Sequence, residues 1–574
     1  MQRHTYTTIG FLVLTTLCTA KTIYDVYAQS VSFWTLLLWG GLLVILYIFT
    51  QHILKSQTKR PLLSWPDREE LFILGVLAGE TLASLWWFGG QTTHFHYDEF
   101  LTASTSSTLP LFQNINWFGV FPKSGDWVCQ FPIFFHILQY PFVHLFPSVL
   151  GIRMSTWPYT VATVFVVYLL TRHITKKKDI AFYAASAFIF LAPQQYLGSL
   201  GLHFHASTFF FITAIYLFIR VTERQHPTDV YTLGIAVMCC CLGYTAAYII
   251  VPLLAAFGVF RLCIRPRKKL FFAYTCAGII TLLTLLPWMT YALRYDNFFL
   301  QRYSQVNAFS GTWVNPQDQI TIHNAGEMLQ KKFSIALSSL LQNQKSGVGD
   351  YFFGSLALLD PFSFILLFIG LLGSVVSIIK KEFNALILTA TTLVLFIAST
   401  VFTQTPIPFH RLSIDFPFFG ICIGCGIGIV QTAWNTSEKR RKMSHIISTI
   451  LIIVFGTINT VRAGMMVIRD TKLQNFDSIH ITKLVQTYAS PGETVWIAAF
   501  SQYHLGKELF FRTNGKIRYI TERVDTLLNI PTPKLIIIHI PDEKSIATVI
   551  KQYPSAVLIT KQPQLQNHAV LLVQ

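Results

Sequence analysis

The chain has 574 residues, of which 52% are hydrophobic, 15% aromatic and only 12% charged. Soluble domains carry about 25% charged residues, so an array of water-soluble globular domains is excluded. A net charge of +17 would suggest a nucleic-acid partner in a soluble protein. Here the basic residues collect in alternate loops between apolar segments, which predicts a membrane protein with no nucleic-acid partner.

Apolar segments recur from the N-terminus to residue 463, and each is long enough to cross a hydrocarbon core of about 30 Å. The pattern predicts about 13 transmembrane helices. They cover residues 7–27, 31–51, 69–89, 153–172, 180–196, 205–221, 231–246, 248–263, 271–292, 360–379, 384–403, 412–433 and 445–463. The first run is also compatible with a signal peptide, but it lacks a convincing cleavage site, so a retained helix is favoured.

Residues 232–260 are apolar over a length that exceeds one membrane crossing. Gly243, Tyr244 and Thr245 interrupt the run and predict a helical hairpin, with a single kinked helix as the alternative. A single helix would move the basic residues 261–269 to the side opposite the other basic loops. The charge pattern therefore favours the hairpin.

The basic residues also predict the orientation of the chain in the membrane. Loops 173–179, 264–270 and 435–444 are expected in the cytoplasm because they are rich in Lys and Arg. Three long segments then fall on the extracytoplasmic face of the plasma (inner) membrane, where we expect the function to reside. These segments are residues 90–152, 293–359 and 464–574.

The outer segments differ in character. Residues 131–150 are apolar but interrupted by prolines, which is typical of helices lying in the membrane interface and would suit a lipid substrate. After a transmembrane module of residues 1–463, residues 464–574 alternate five β-rich runs with helix-like pieces, which predicts a small soluble α/β accessory domain. The β-rich runs are Thr494–Phe500, Lys516–Ile520, Leu535–Ile540, Ala556–Thr560 and Ala569–Val573, and two helix-like pieces are Ser478–Tyr488 and Glu543–Gln552.

Two adjacent carboxylates, Asp98 and Glu99, directly follow the third predicted span in the string His-Phe-His-Tyr-Asp-Glu of residues 94–99. Carboxylates beside a membrane are costly unless they are hydrated, paired or functional. The pair therefore either carries chemistry or caps the start of an interfacial helix.

Further short motifs follow this acidic pair in a characteristic order. They are Ser124–Trp127, Gln130–Pro132, Tyr140-Pro141, Leu150–Ser155, Ala192-Pro193, Leu286–Trp288, and Pro408–Arg411 with Pro417. Over about residues 69–434 the constellation resembles the GT-C superfamily of membrane glycosyltransferases, in the branch of protein O-mannosyltransferases and aminoarabinose transferase (glycosyltransferase family 39 type). The chain departs from that pattern at Phe100, where the family has a small residue, and at Pro132, where the family has two prolines.

The resemblance implies a GT-C fold and an enzyme that moves a sugar, with inversion, from a polyprenyl-phosphate carrier to an acceptor. It implies Asp98 as the general base with Glu99 in support, and Arg411 and Arg153 as ligands of the donor phosphate. Two alternatives remain from the residues themselves. Arg411 could pair with Asp415 along one helix face, and Arg153 could be an ordinary interfacial arginine.

Other outer residues are weaker candidates. Four are candidates for substrate binding: Asp126, Trp127, Arg294 and Arg302. For the two arginines, solvated loop charges are the alternative. Four histidines form two His-x-His pairs that would suit zinc or manganese if both loops are extended: His94, His96, His203 and His205. Because arginine can neutralise a phosphate leaving group, we expect catalysis to need no metal or other cofactor.

Two rival functions come from other classes of protein. A transporter or a flippase for lipid-linked glycans would need ionisable residues along a path through the bilayer, and often internal repeats. A non-catalytic scaffold that presents the C-terminal domain would leave the outer acidic and basic residues unexplained. The sequence identifies neither the sugar nor the acceptor, which is a lipid, a glycan or a protein.

Overall fold

A computed structural model of the chain describes residues 2–54, 67–90, 96–109, 116–120, 132–295, 298–312, 314–342, 356–403, 407, 409–434, 438–473, 476–498, 505–522, 535–539, 543–559 and 568–573. The helices before the C-terminal domain are α1 Gln2–Tyr27, α2 Phe33–Leu54, α3 Arg68–Gly89, α4 Tyr97–Ser107, α5 Phe134–Leu145, α6 Val149–Met154, α7 Trp157–Thr175, α8 Lys178–Phe190, α9 Ala192–Gly198, α10 Phe204–Arg224, α11 Pro227–Cys241, α12 Ile250–Ile264, α13 Lys268–Arg294, α14 Phe298–Val306, α15 Ala325–Leu341, α16 Pro361–Ile379, α17 Phe383–Thr400, α18 Phe416–Ala433 and α19 Glu438–Leu473. The remaining elements are α20 Phe476–Tyr488, β1 Thr494–Ala498, α21 Leu505–Arg512, β2 Arg518–Glu522, β3 Leu535–His539, α22 Glu543–Gln552, β4 Ala556–Leu558 and β5 His568–Val573.

The predicted membrane spans are confirmed as helices. In the described residues, eleven helices are long and apolar enough to cross a membrane, and α8 with α9, bent by 62°, makes a twelfth. The shorter apolar helix α11 accounts for the remaining predicted span. The last helix continues to Leu473, ten residues past the predicted end at 463, because a helix does not have to stop where its apolar composition ends.

The predicted break around Gly243 is confirmed. Helix α11 ends at Cys241 and α12 begins at Ile250, with the short 3₁₀ helix Thr245–Ile249 between them. The Tyr244 N–H donates to Ser207 Oγ (2.6 Å), which ties the break to the start of α10. We call residues 242–249 the hairpin apex.

Helix α18 lies at the centre of the bundle and packs closely against α8 and α16. Its glycines permit this approach. A Cβ atom at Gly424 would lie 2.4 Å from the Ala184 backbone, and one at Gly426 would lie 2.2 Å from the Leu366 carbonyl oxygen. Small residues at such crossings let helices pack through their backbones, which is a major source of stability between helices in a membrane.

The two ends of the bundle are chemically different. At one end lie the basic loops, where Lys178 bonds to Asp67 (2.7 Å) and Glu69 (2.5 Å), and where His173 and Asn384 both bond to Glu223. The other ends of these same helices carry α4, the hairpin apex and the residues just before α18. Every predicted site residue that the structure describes lies at or near this second end.

The segment of residues 293–359 contains the amphipathic helix α15. On α15, one sector is buried against the protein and a second exposes apolar side chains. A third sector is polar and exposed, as Glu327 and Lys331 illustrate. The exposed apolar side chains are Leu329, Phe333, Leu337 and Leu341. This arrangement is typical of a helix that lies in a membrane interface.

The C-terminal domain contains a five-stranded sheet in the order β2-β1-β3-β5-β4. Strands β1, β2 and β3 are parallel, whereas β5 pairs antiparallel with β3 and β4. All five predicted strands and both predicted helices, 478–488 and 543–552, are confirmed to within a few residues. Helix α21 was not predicted. It packs against both this sheet and α4.

Candidate active site

The acidic pair stands in the first turn of α4, and His96 is the N-cap residue of that helix. The Asp98 N–H donates to His96 Nδ1 (3.1 Å), and the His96 N–H donates to Glu99 Oε2 (3.0 Å). Together these bonds form a capping box, which satisfies backbone donors that a helix start leaves open. The capping interpretation therefore holds for Glu99, and a chemical role for Asp98 stays a prediction.

Glu99 also forms a buried ion pair with Arg153, and both side chains are 0% exposed. Glu99 Oε1 accepts from Arg153 Nε (3.0 Å) and from the Gly201 N–H (2.8 Å), and Glu99 Oε2 accepts from Arg153 Nη2 (3.1 Å). Arg153 Nη1 donates to the Gly89 carbonyl (2.9 Å). The pair thus joins the end of α3, the start of α4, α6 and the loop after α9.

Asp98 differs from Glu99 in accessibility. Its side chain is 15% exposed, and its Oδ2 atom lies 3.9 Å from His96 Nδ1. Its negative charge acts on the phenol of Tyr244 at the hairpin apex. Asp98 is therefore partly exposed and close enough to the hairpin apex for its charge to act on Tyr244.

Five basic or phenolic side chains gather in that region. We call them the basic cluster: Tyr244, His203, Arg302, His410 and Arg411. They come from four separate parts of the chain: the hairpin apex, the loop before α10, helix α14, and the 3₁₀ helix Phe409–Ile414 that precedes α18.

Contacts within the basic cluster are close. The ring centroids of His203 and Tyr244 are 5.3 Å apart, and those of Tyr244 and His410 are 6.0 Å apart. The Arg411 guanidinium donates a hydrogen bond to the Tyr244 hydroxyl, and Arg302 adds a second positive charge nearby. All of these side chains except that of half-buried Arg302 are buried.

Burial makes positive charge costly in this cluster. Burial, with neighbouring His136 and Arg302, lowers the pKa of His203 to about 3, and burial with Arg411 and Arg302 lowers the pKa of His410 well below its usual value. Both rings are therefore neutral at pH 7. Burial also lowers the pKa of Arg411 to about 10.

Arg411 presents a buried donor that the described residues do not satisfy. Its Nη1 atom is buried and has no hydrogen-bond partner among them. A buried guanidinium with an open donor costs free energy unless an anion accepts the bond. The cluster therefore has the electrostatic character and the open donor of an anion site, at the place where Asp98 supplies a carboxylate.

The alternative pairing of Arg411 with Asp415 does not form. Arg411 bonds to Tyr244, whereas Asp415 is buried at the start of α18 with Ser399 as its neighbour. The local helix explains the separation. Residues 409–414 are a 3₁₀ helix with three residues per turn, so residues i and i+4 do not share a face as they do in an α-helix.

No protein-family model matches the sequence, and no curated protein matches it at a significant level. Solved structures do match. The structure of ArnT from Cupriavidus metallidurans in the apo state is 11% identical, with a TM-score of 0.51, over 88% of this chain and 97% of that chain. The chain has the GT-C fold. ArnT of the same organism bound to undecaprenyl phosphate also matches, at 12% identity and a TM-score of 0.47, over 88% of this chain and 98% of that chain.

The other predicted substrate-binding residues are placed differently within the GT-C fold. Arg302 lies on α14, is half-buried, and adds its charge to the basic cluster, whereas its binding of substrate stays a prediction. Arg294 is exposed at the end of α13, with its guanidinium 5.0 Å from the Tyr27 ring centroid. Asp126 and Trp127 lie outside the described residues.

The histidine pairs do not form a metal centre among the described residues, where no group of three metal-ligating side chains occurs. His203 is the N-cap of α10 and His205 lies inside that helix, so their side chains diverge. His205 Nε2 is instead 2.8 Å from the Leu197 carbonyl oxygen. His96 caps α4, and His94 lies outside the described residues, so the full set of four histidines stays a prediction.

Two members of the cluster, Tyr244 and His410, were not predicted as site residues. Each stood next to a signal in the sequence. Tyr244 lies in the predicted helix break, and His410 precedes Arg411 in one of the GT-C motifs. Both residues lie where the regular helix is interrupted at the end of a span. Irregular backbone at such a place can bring polar side chains together in a cavity.

Proposed function

We propose that the protein is an inverting glycosyltransferase that takes a sugar from a polyprenyl-phosphate-linked donor and transfers it to an acceptor at the extracytoplasmic face of the membrane. One observation carries the proposal. The buried guanidinium of Arg411 presents an open donor near Arg302, and both Arg411 and the partly exposed carboxylate of Asp98 act electrostatically on the same residue, Tyr244. The GT-C fold agrees with this activity.

The chemistry follows from the arrangement of these groups. The acceptor oxygen attacks the anomeric carbon, the bond from that carbon to the phosphate oxygen breaks, and its electron pair remains on the phosphate. Asp98 takes the proton of the acceptor. Arg411 and Arg302 neutralise the charge that develops on the leaving phosphate, and Tyr244 orients Arg411.

The neutral histidines have a distinct part in this proposal. His203 and His410 line the cluster as uncharged rings, so they offer hydrogen bonds without adding repulsion to the two arginines. Glu99 and Arg153 hold the start of α4 and thereby keep Asp98 in place. These roles remain proposals for each residue.

The membrane face is proposed from charge. The basic loops lie at the end of the bundle opposite the site, and such loops remain in the cytoplasm of multi-pass proteins. The site and the C-terminal domain are then extracytoplasmic. Exposed apolar side chains on α15 provide a surface for membrane lipids.

Transfer is tested with purified full-length protein, radiolabelled polyprenyl-phosphate sugars and a membrane extract, followed by identification of the labelled product. Asp98→Asn is expected to lower turnover by about 10²–10⁴-fold, because the amide keeps the shape but cannot take a proton. Asp318→Asn is the matched control, since Asp318 lies in the segment of residues 293–359 and pairs with the exposed Lys331 (2.9 Å). Turnover of Asp98→Asn within threefold of the wild type would remove Asp98 from the mechanism.

The phosphate site is tested by titrating the protein with a polyprenyl phosphate in detergent. Arg411→Ala is expected to weaken binding by about 10–100-fold, through loss of a charge-assisted bond worth roughly 1.5–3 kcal/mol. Arg411→Lys retains the charge but loses the planar fork of donors, so an intermediate affinity is expected. Lys331→Ala is the control for loss of a positive charge. Unchanged affinity in Arg411→Ala, or no labelled product from any donor with the wild type, would contradict the proposal.

A further inference from the structure

The C-terminal domain contributes a residue to the core of the first outer segment. Phe511, on α21, is 1% exposed and belongs to a buried cluster whose other fully buried members all come from residues 100–152. We call this cluster the platform core. Its buried members are Phe100, Leu101, Ala103, Leu109, Ile133, Val143, Val149, Ile152 and Phe511. Phe100 and Leu101 directly follow the acidic pair along α4.

Helix α21 presents two different faces. Leu505 and Leu509 pack into the core beneath the C-terminal sheet, whereas Phe511, and partly Phe510, pack into the platform core. Two residues along a helix correspond to a rotation of about 200°, so Leu509 and Phe511 point in opposite directions. A single short helix therefore connects the C-terminal domain to α4.

The orientation of α21 is fixed within its own domain. The Ser478 hydroxyl donates to Glu508 Oε1 (2.8 Å), and Arg512 Nε donates to the same oxygen (2.8 Å). Just beyond α21, the chain runs close to the first outer segment at Gly515, where an added Cβ would lie 2.9 Å from Pro147 Cγ. The contact surface thus continues past Phe511.

Helix α4 is consequently held from two sides. Its first turn is fixed by the bonds of Glu99 to Arg153 and Gly201, and its apolar side is fixed by the platform core. The last turn of α4 is held as well, because the Ser106 hydroxyl bonds to His136 Nδ1 (2.8 Å) and to Gln139 Oε1 (2.6 Å) on α5. Phe511 is the contact that the C-terminal domain adds to these bonds, and it opposes displacement of α4 toward that domain because close-packed side chains resist displacement.

We infer that Phe511 is a positioning residue for catalysis, and that the C-terminal domain sets the placement of Asp98 by packing Phe511 against α4. The inference rests on the proposed function. A displacement of about 1 Å in a reacting group can cost about 10²-fold in rate. The basic cluster lies on other elements, so donor binding does not depend on Phe511.

The test measures turnover and polyprenyl phosphate binding of the full-length protein in parallel. Phe511→Ala is expected to lower kcat by about 10²-fold and to leave the dissociation constant within about threefold of the wild type. Phe511→Leu keeps an apolar contact of similar volume and is expected to recover most of kcat. Leu509→Ala is the matched control, since it removes a buried side chain from the same helix but from the face that meets the sheet.

A second readout separates positioning from general destabilisation. In an Asp98→Asn background the base is already absent, so Phe511→Ala is expected to lower the residual kcat by less than about threefold. A loss of stability alone would lower kcat equally in both backgrounds. If Phe511→Ala does not purify as a folded protein, Phe511→Val provides the same comparison with a smaller change.

The outcomes distinguish this inference from the proposed function. Wild-type kcat in a folded Phe511→Ala variant would overturn the inference and leave the transferase proposal intact. Equal losses in both backgrounds, or an equal loss of donor binding, would also overturn it. Absence of transfer by the wild type would overturn the proposed function itself. Both proposals are supported if the wild type transfers sugar and if Phe511→Ala lowers kcat when Asp98 is present but not in the Asp98→Asn background.

Discussion

Arg153 has two candidate roles, as the buried structural partner of Glu99 and as a ligand of the donor phosphate, and a series of substitutions separates them. In the structure Arg153 donates twice to Glu99 and once to the Gly89 carbonyl, and neither charged side chain is exposed. The sequence resemblance instead implies that Arg153 binds the donor phosphate. Arg153→Met removes the guanidinium while it keeps much of the apolar volume.

The expected cost of Arg153→Met is large. Glu99 would remain buried as a carboxylate whose donors among the described residues are the N–H groups of Gly201 and His96. Removal of one partner from a buried pair costs about 3–5 kcal/mol, because an uncompensated charge stays behind. In the double variant Glu99→Gln/Arg153→Met that charge is also absent, and lost hydrogen bonds alone account for a cost of about 1–3 kcal/mol.

The free energy of unfolding can be measured in mixed micelles by titration with a denaturing detergent, with tryptophan fluorescence as the signal. The control is Lys331→Met, whose partner Asp318 is part of an exposed pair with side-chain exposures of 52% and 25%. Exposed pairs contribute about 0–1 kcal/mol, so little change is expected there. If Arg153→Met unfolds like the wild type and loses only donor affinity, the structural role is refuted and the phosphate role is supported.

Three further predictions concern the site and its location. Tyr244→Phe removes the hydroxyl that accepts from Arg411 and should weaken polyprenyl phosphate binding by about tenfold, as measured by titration; wild-type affinity would exclude Tyr244 from orienting Arg411. Exhaustive chelation should leave transfer unchanged, and a loss that zinc or manganese restores would instead favour the histidine site. In a background without Cys129, an impermeant thiol reagent applied to intact cells should label Lys516→Cys and not Lys176→Cys, whereas the reverse pattern would invert the proposed topology.

Much of the fold could be predicted because its signals are local. Hydropathy over about 20 residues predicts each span, and the break at Gly243 and Tyr244 is written in the sequence next to the run that it divides. Strands of the C-terminal domain were predicted for the same reason. Helix α21 was missed because its eight residues, Leu505–Arg512, are fewer than the roughly 11–18 residues over which helical periodicity can be recognised in a sequence.

The site was less accessible to prediction because its partners are distant in sequence. Glu99 meets Arg153 after 54 residues and the Gly201 N–H after 102 residues. No local pattern distinguishes an arginine buried in such a pair from an arginine at the membrane interface, and the interfacial alternative for Arg153 is wrong since its side chain is fully buried. The convergence of Arg302 on Arg411 likewise depends on how α14 packs beside the hairpin apex.

In the proposed transferase, the two tasks of base and anion binding fall to separate elements. Asp98 depends on α4, which is held by the Glu99–Arg153 pair and by the platform core. Arg411 depends on the 3₁₀ helix before α18, and its orientation depends on Tyr244 of the hairpin apex. Because these supports share no residue, a shift of α4 changes the distance from base to donor without dismantling the anion site. Control of the reaction through the C-terminal domain would therefore act on the rate of transfer and leave the donor bound.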